Sequence, residues 1–333
     1  MPNLRDRQLF AQPHEGMRPG RALTPIWGIA LLLLALSLAA PSSIADQSPN
    51  TSAFQTVATS ECSAILEHPA LITQPDRFRC LTAHDQAIAL QADIEGRALL
   101  PLSDGQILSL MAAMKPDAFV EYARSGMIQN NTYEYRMRRQ ERVSGHWPER
   151  ADHIDIRYED TPRKVYARWL PDGQHAGQEI LYDETRAADT LLGHPGGPLR
   201  IISAEIPIDS IFARAQSRHS VRDFGLQFVT RTIEHDARSF REEGLSEKPA
   251  HVEIITMNSI RLLAWTWSAP SGPPNHYAKN VQLLFDLVHP WPSDEIAWDG
   301  RGELLERIHF EDIEPRRWDA ASFSRHNPDF GFD

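Results

Sequence analysis

The spacing of apolar residues changes at Asn131, and this change constrains the fold more than any other feature of the chain. Beyond it, Tyr133, Tyr135 and Met137 alternate with Glu134, Arg136 and Arg138. Successive side chains of a β-strand point to opposite faces, so this spacing describes a strand dry on one side and wet on the other. The pattern recurs. Ile154, Ile156 and Tyr158 alternate with Asp155, Arg157 and Glu159, and Val165, Ala167 and Trp169 alternate with Tyr166 and Arg168. Gly177 opens a fourth strand that carries Tyr182, and strand patterns return at 199–206, 251–268, 281–288 and 302–314. Half-wet strands in series belong to antiparallel meanders, because parallel strands are buried on both faces. One apolar stripe at helical spacing interrupts them: Val221, Phe224, Phe228, Ile233, Ala237 and Phe240, with Ser220 as its N-cap and Gly244 beyond its end. The fold class expected is therefore α+β, an antiparallel sheet packed against helices.

Before Asn131 the helical spacing dominates. Phe54, Ala58, Cys62 and Ile65 form one short stripe, Thr82–Asp93 a second segment, and Ile107, Leu110, Met111 and Met114 a third, capped by Ser103 or Asp104. Phe119, Val120, Tyr122 and Ala123 follow Pro116 and lead to Gly126. Further upstream, residues 26–40 are an unbroken run of fifteen apolar or small residues. A spanning helix needs about 20. Arg18 and Arg21 precede the run and Ser43-Ile44-Ala45 follows it, the layout of a cleavable secretory signal. We therefore expect residues 1–45 to be a signal peptide, with Met17 as an alternative start, and a mature chain that is periplasmic or secreted and carries no transmembrane anchor. Cysteine does not follow the apolar run closely, which argues against a lipid-anchored product. The organisation expected after cleavage is a helical extension over 46–114 and a sheet domain over 115–333.

Removing four arginines and two acidic residues with the signal takes the net charge from −11 to −13. Such a surface excludes nucleic acid as a natural partner. The two cysteines, Cys62 and Cys80, are an isolated pair. In an oxidising compartment they are expected to be bridged, the alternative being two buried thiols.

Three segments carry a resemblance. They are Arg139-Gln140-Glu141-Arg142 at the end of the tyrosine-bearing strand, the stretch 154–183 with its Gly177-Gln178-Glu179 strand, and the close Asn327-Pro328-Asp329-Phe330-Gly331-Phe332. Over roughly 115–333 the chain resembles the bacterial family known as domain of unknown function 1571. Here Phe330 stands where that family's ending has Tyr, and Arg139 where Lys is common. More distantly, the layout is similar to the lipoprotein-carrier fold of the LolA/LolB type. That resemblance implies a strongly curved, half-barrel sheet around an apolar cavity, and a lipid, acyl chain or lipoprotein as ligand.

Two readings of the dry strand faces follow. Tyr133, Tyr135, Met137, Ile156, Tyr158, Trp169, Tyr182 and Trp267 either pack a core under a helical lid or line a ligand cavity. Glu141 shares the face of Tyr133 and Tyr135, where a carboxylate must pair or sit at a rim, while Arg142 faces the other way. Arg163 and Lys164 are the candidate partners for an ion pair. Nucleophile-elbow, zinc-protease and phosphate-loop motifs are absent, and the fourteen histidines show no ligand spacing. The expectation is thus a non-enzymatic binder or carrier of an amphipathic envelope ligand, with no metal and no cofactor. The alternatives are an envelope scaffold with a filled core and, third, a carboxylate-dependent hydrolase.

Overall fold

A computed structural model describes residues 74–125, 131–270 and 274–332. Six α-helices are found among these residues: α1 (Pro75–Cys80), α2 (Ala83–Glu95), α3 (Asp104–Ala113), α4 (Pro116–Ser125), α5 (Ile211–Arg214) and α6 (Gln227–Glu242). The strands are β1 (Thr132–Glu141), β2 (Asp152–Asp160), β3 (Arg163–Trp169), β4 (Glu179–Asp183), β5 (Thr190–His194), β6 (Ala204–Pro207), β7 (His251–Met257), β8 (Ile260–Ser268), β9 (Asn280–Phe285), β10 (Asp294–Trp298) and β11 (Leu304–Pro315). Residues 1–45 and Cys62 lie outside the described residues, so the signal and the Cys62–Cys80 bridge fall there as well.

All eleven strands form one antiparallel sheet in the order β6-β5-β4-β3-β2-β1-β11-β10-β9-β8-β7. It consists of two meanders, β1–β6 and β7–β11, joined where the first strand meets the last. The sheet is open at β6 and β7. Laid flat, eleven strands would span about 48 Å. Inner-face residues from β5 through β1 and β11 to β8 nevertheless share one hydrophobic core with the helices. The sheet is curved, and the helices lie on its concave side.

The helical lid follows from local signals. Thr82 accepts from the Asp85 N–H at the start of α2, and Ser103 and Gln106 form a reciprocal capping box at α3. The α4 side chains Phe119 and Tyr122 meet Trp265 of β8 edge-on, with ring centroids at 4.8 and 5.4 Å. Tyr122 also donates to the Pro290 carbonyl at 2.6 Å. Helices α1 to α4 thus share the core of the sheet.

The stripe at 221–240 does not form one helix. Ser220 caps a short 3-10 turn over Val221–Asp223, and α6 begins only at Gln227. Gly225 separates them at φ +94°, and a Cβ there would lie 2.6 Å from the Tyr158 ring. Close approach of backbone to two tyrosines, together with a positive φ, requires glycine. Tyr135 accepts the Gly225 N–H at 2.9 Å and Tyr133 accepts that of Leu226 at 2.8 Å, so the tyrosines satisfy the freed backbone. The sheet also departs from the sequence reading at 199–206, where only Ala204–Pro207 is strand and a 3-10 turn precedes it. Strands β5 and β10 are buried almost continuously, so they carry no alternation for the sequence to show.

The outer face of β3–β5 is covered by the chain end. Phe330 stacks on Tyr166 with centroids 3.7 Å apart, and the Gly331 N–H donates to Glu179 at 2.9 Å. Glu179 also accepts the Tyr166 hydroxyl at 3.0 Å, so two of the motif segments form one latch.

Candidate functional site

Register on the concave face places charges in a dry environment. Asp152 of β2 is opposite Arg139 of β1, and Glu141 of β1 is opposite Glu306 of β11. All four are buried. Like charges directly opposite one another destabilise a sheet unless something intervenes. Arg139 does so from the same strand face, with Nε 3.1 Å from Glu141 and a terminal nitrogen 3.2 Å from Asp152. The loop between α5 and α6 supplies the rest. The Ser217 hydroxyl donates to Glu141 at 2.9 Å, and the Arg218 N–H at 2.5 Å. His219 Nε2 meets Glu306 at 2.6 Å, and Tyr277 hydrogen-bonds to both.

Glu295 of β10 is also buried, and neither of its carboxylate oxygens has a hydrogen-bond partner. Burial, reinforced by the Glu306 charge, pushes its carboxyl up to about 8. Burial alone would lower His219, but the charge and hydrogen bond of Glu306 outweigh it and hold the imidazole at about 9. Burial likewise opposes ionisation of Glu306, whereas His219 and Arg218 pull that carboxyl below its ordinary value. The ligand-type atoms of Glu141, His219 and Glu306 all lie within 4.8 Å of one another, so these three side chains could hold a cation.

Two hollows meet at Arg139. One, of ≈ 180 Å³, is walled by Trp169, Ile180, Leu191, Ile206, Phe212 and Phe224, and is also bordered by His219 and Ser217. The other, of ≈ 200 Å³, is polar, with Glu141, Asp152, Gln174 and His175 among its walls. Phe212, one wall of the apolar hollow, belongs to an exposed apolar stretch of chain. Of eight exposed large apolar side chains among the described residues, Leu199, Ile201, Ile202, Ile211 and Phe212 fall on one 14-residue stretch. Scattered exposed apolar residues need no explanation, but clustered ones mark a contact surface.

The residues expected to line a cavity divide in two. Trp169 faces the apolar hollow and its indole N–H has no partner. Tyr135 and Met137 border a small space of ≈ 20 Å³ below Phe224. Tyr133, Ile156, Tyr158, Tyr182 and Trp267 pack in the core, and their polar atoms are used there. Tyr133 donates to Gln227, Tyr158 to Asp160, Tyr182 to the Ala188 carbonyl and Trp267 to the Glu247 carbonyl. Glu141 does pair, but with Arg139. Arg163 and Lys164 instead hold Asp160 and Glu159, their neighbours across the same β2–β3 hairpin. Arg142 faces outward, donating to the Leu304 carbonyl at 2.8 Å.

His219, Glu295 and Glu306 were not picked out from the sequence. Glu306 shares the dry face with Ile308 and Phe310, the same signal that singled out Glu141. His219 lies in a loop, where no periodicity exists to reveal it.

The model of the family described as protein of unknown function, DUF1571, matches residues 130–332. The chain belongs to this family. The match spans the whole sheet and the tail latch. It includes Arg139, Glu141, His219, Glu295 and Glu306, whereas α1–α4 precede it. No curated protein matches the chain. Similar solved structures include an uncharacterised conserved protein from Thermus thermophilus, 10% identical, covering 60% of this chain and 88% of that one with a TM-score of 0.33. A LolA superfamily protein from Nitrosomonas europaea is 9% identical over 63% of this chain and 98% of that one, TM-score 0.29. A putative outer membrane lipoprotein-sorting protein domain from Vibrio parahaemolyticus is 12% identical over 61% and 93%, TM-score 0.30. Among the described residues no helix is long and apolar enough to cross a membrane.

Proposed function

We propose that the protein binds an amphipathic ligand, an acyl chain of a lipid or lipoprotein, at the concave face of its sheet. The observation that carries this reading is the pairing of an apolar hollow with a polar one across Arg139, beside a clustered apolar surface. A space of ≈ 180 Å³ accepts a ring or the end of an alkyl chain, and the exposed side chains of 199–212 cover what remains outside. The polar hollow, with His175 and Gln174, receives the head group.

A fluorescent fatty acid should bind the native protein saturably. Trp169→Ala should weaken that binding and cost less than the roughly 3–5 kcal/mol of emptying a packed aromatic site, because the residue borders existing space. Phe212→Ser is the cleaner variant. Phe212 is 77% exposed, so its loss should leave stability within about 0.5 kcal/mol while reducing affinity. Absence of saturable binding by the wild type, with a full-sized stability loss in Trp169→Ala, would leave only the scaffold reading.

The ligand reading goes with export. The apolar run at 26–40 and Ser43-Ile44-Ala45 favour a mature chain that starts near Asp46, with Cys62 bridged to Cys80. The intact mass of protein recovered from the periplasm tests both. It should match a chain starting near Asp46 and be lighter by two hydrogens than after reduction. A soluble cytosolic pool that keeps Met1 or Met17 contradicts export.

A further inference from the structure

We propose that Glu141, His219 and Glu306 bind one divalent transition-metal ion of the zinc type, with Glu295 as the uncommitted carboxylate beside it. The three side chains come from β1, β11 and the loop before α6, and their donor atoms already lie within 4.8 Å of one another. All are held from outside. Arg139 and Ser217 orient Glu141, Tyr277 orients Glu306, and Phe228 and Tyr277 flank the His219 ring. Zinc sites need such a second layer, which fixes the direction of each ligand.

Glu295 is an independent pointer to a ligand. It is 1% exposed and neither oxygen is hydrogen-bonded. It stands opposite Ile308 on the register, hence diagonal to Glu306 on the same concave face. Each such group in a native structure calls for an explanation, and a bound ion is one.

The donor set chooses among ions. One imidazole nitrogen with carboxylate oxygens suits zinc and its neighbours, whereas magnesium and calcium prefer oxygen alone. Metal–ligand bonds of about 2.0–2.2 Å place tetrahedral donors about 3.4 Å apart. The 2.6 Å contact of His219 with Glu306 therefore opens on binding, and the ion replaces the proton that the two share, which leaves to solvent. Access is present on both sides, since His219 borders the apolar hollow and Glu141 the polar one.

The test uses the full chain, stripped with a chelator and titrated with Zn²⁺ alone against a chromophoric competitor. This inference does not depend on the acyl-ligand reading, because zinc uptake is read without lipid. One equivalent should bind, and Mg²⁺ should not compete. Glu306→Gln and His219→Ala should each weaken binding at least about 100-fold, while His289→Ala, at an exposed pair, should not change it. X-ray absorption on the loaded wild type should show one imidazole nitrogen and otherwise oxygen. It decides the matter even if a variant folds poorly. No stoichiometric uptake by the wild type, wild-type affinity in Glu306→Gln, or a shell of oxygen only or of several imidazoles would each overturn the proposal and leave a structural ion-pair network.

Discussion

Replacing Arg139 with methionine should destabilise the protein by roughly 3–5 kcal/mol, the usual consequence of removing one partner from a buried ion pair. The guanidinium is 5% exposed and serves Glu141 at 3.1 Å and Asp152 at 3.2 Å. Both carboxylates are buried, and Glu141 is opposite a third, Glu306. Methionine preserves much of the side-chain volume, so the loss reports charge rather than a cavity. Ser217 and the Arg218 N–H still serve Glu141, but Asp152 keeps only His175 at 2.8 Å. Arg142→Met is the control. Its side chain points to the outer face and its carboxylate contact, Glu303, is at 3.6 Å and exposed. Such a pair contributes about 1 kcal/mol at most. Urea midpoints for the two variants measure the contrast. Equal and small shifts would show that the interior charges are hydrated in solution and that the concave face is wetter than its packing implies.

The second expected result is a stability maximum in mildly acidic solution, with a fall on the alkaline side on the order of 3 kcal/mol by pH 9 in chelator-treated protein. His219 titrates near 6.5 when unfolded and at about 9 in the folded chain, because Glu306 outweighs the effect of burial. The folded state therefore holds its proton more tightly. That contribution is complete below pH 6.5 and is lost as the pH climbs through 9. Glu295 acts in the same direction. Its carboxyl is raised from 4.5 to about 8, mainly by burial, so above pH 4.5 the unfolded chain sheds the proton more readily and unfolding is favoured. Glu306 runs the other way. Its folded value is depressed, so its contribution is present above 4.5 and is lost as acid protonates it. Arg139, Arg218, Glu141, Tyr277 and Asp236 are the other charged or titratable groups around these three. Urea midpoints at pH 6 and pH 9 test the slope, with Glu306→Gln as the comparison in which the His219 part should vanish. A midpoint that is flat or rises between those values is incompatible with this cluster.

Much of the fold was legible in the sequence because it rests on short-range periodicity. Alternation in 131–143 and 154–170 identified strands and their dry faces, since a strand with one wet side must alternate. Ser103 and Pro116 marked helix starts by chemistry that acts within one turn. The same periodicity marked Glu141 as an ionisable group on an apolar face, and Glu306 carries the same mark.

Only the tertiary structure could decide what those faces meet. Whether an inward tyrosine fills a core or walls a cavity depends on the element across from it. Gly225 brings backbone onto Tyr133, Tyr135 and Tyr158 and closes that end, whereas the loop around Ser217 stands off from Trp169 and leaves space. The sequence likewise hides the partner of Glu141, which is Arg139 on the same strand face and not the expected Arg163 and Lys164. Local cross-strand neighbours claimed the last two. The cluster of Glu141, His219, Glu295 and Glu306 joins two strand meanders and a loop that are distant in sequence. It exists because β1 pairs with β11, and no pattern within a single element records which strands will meet.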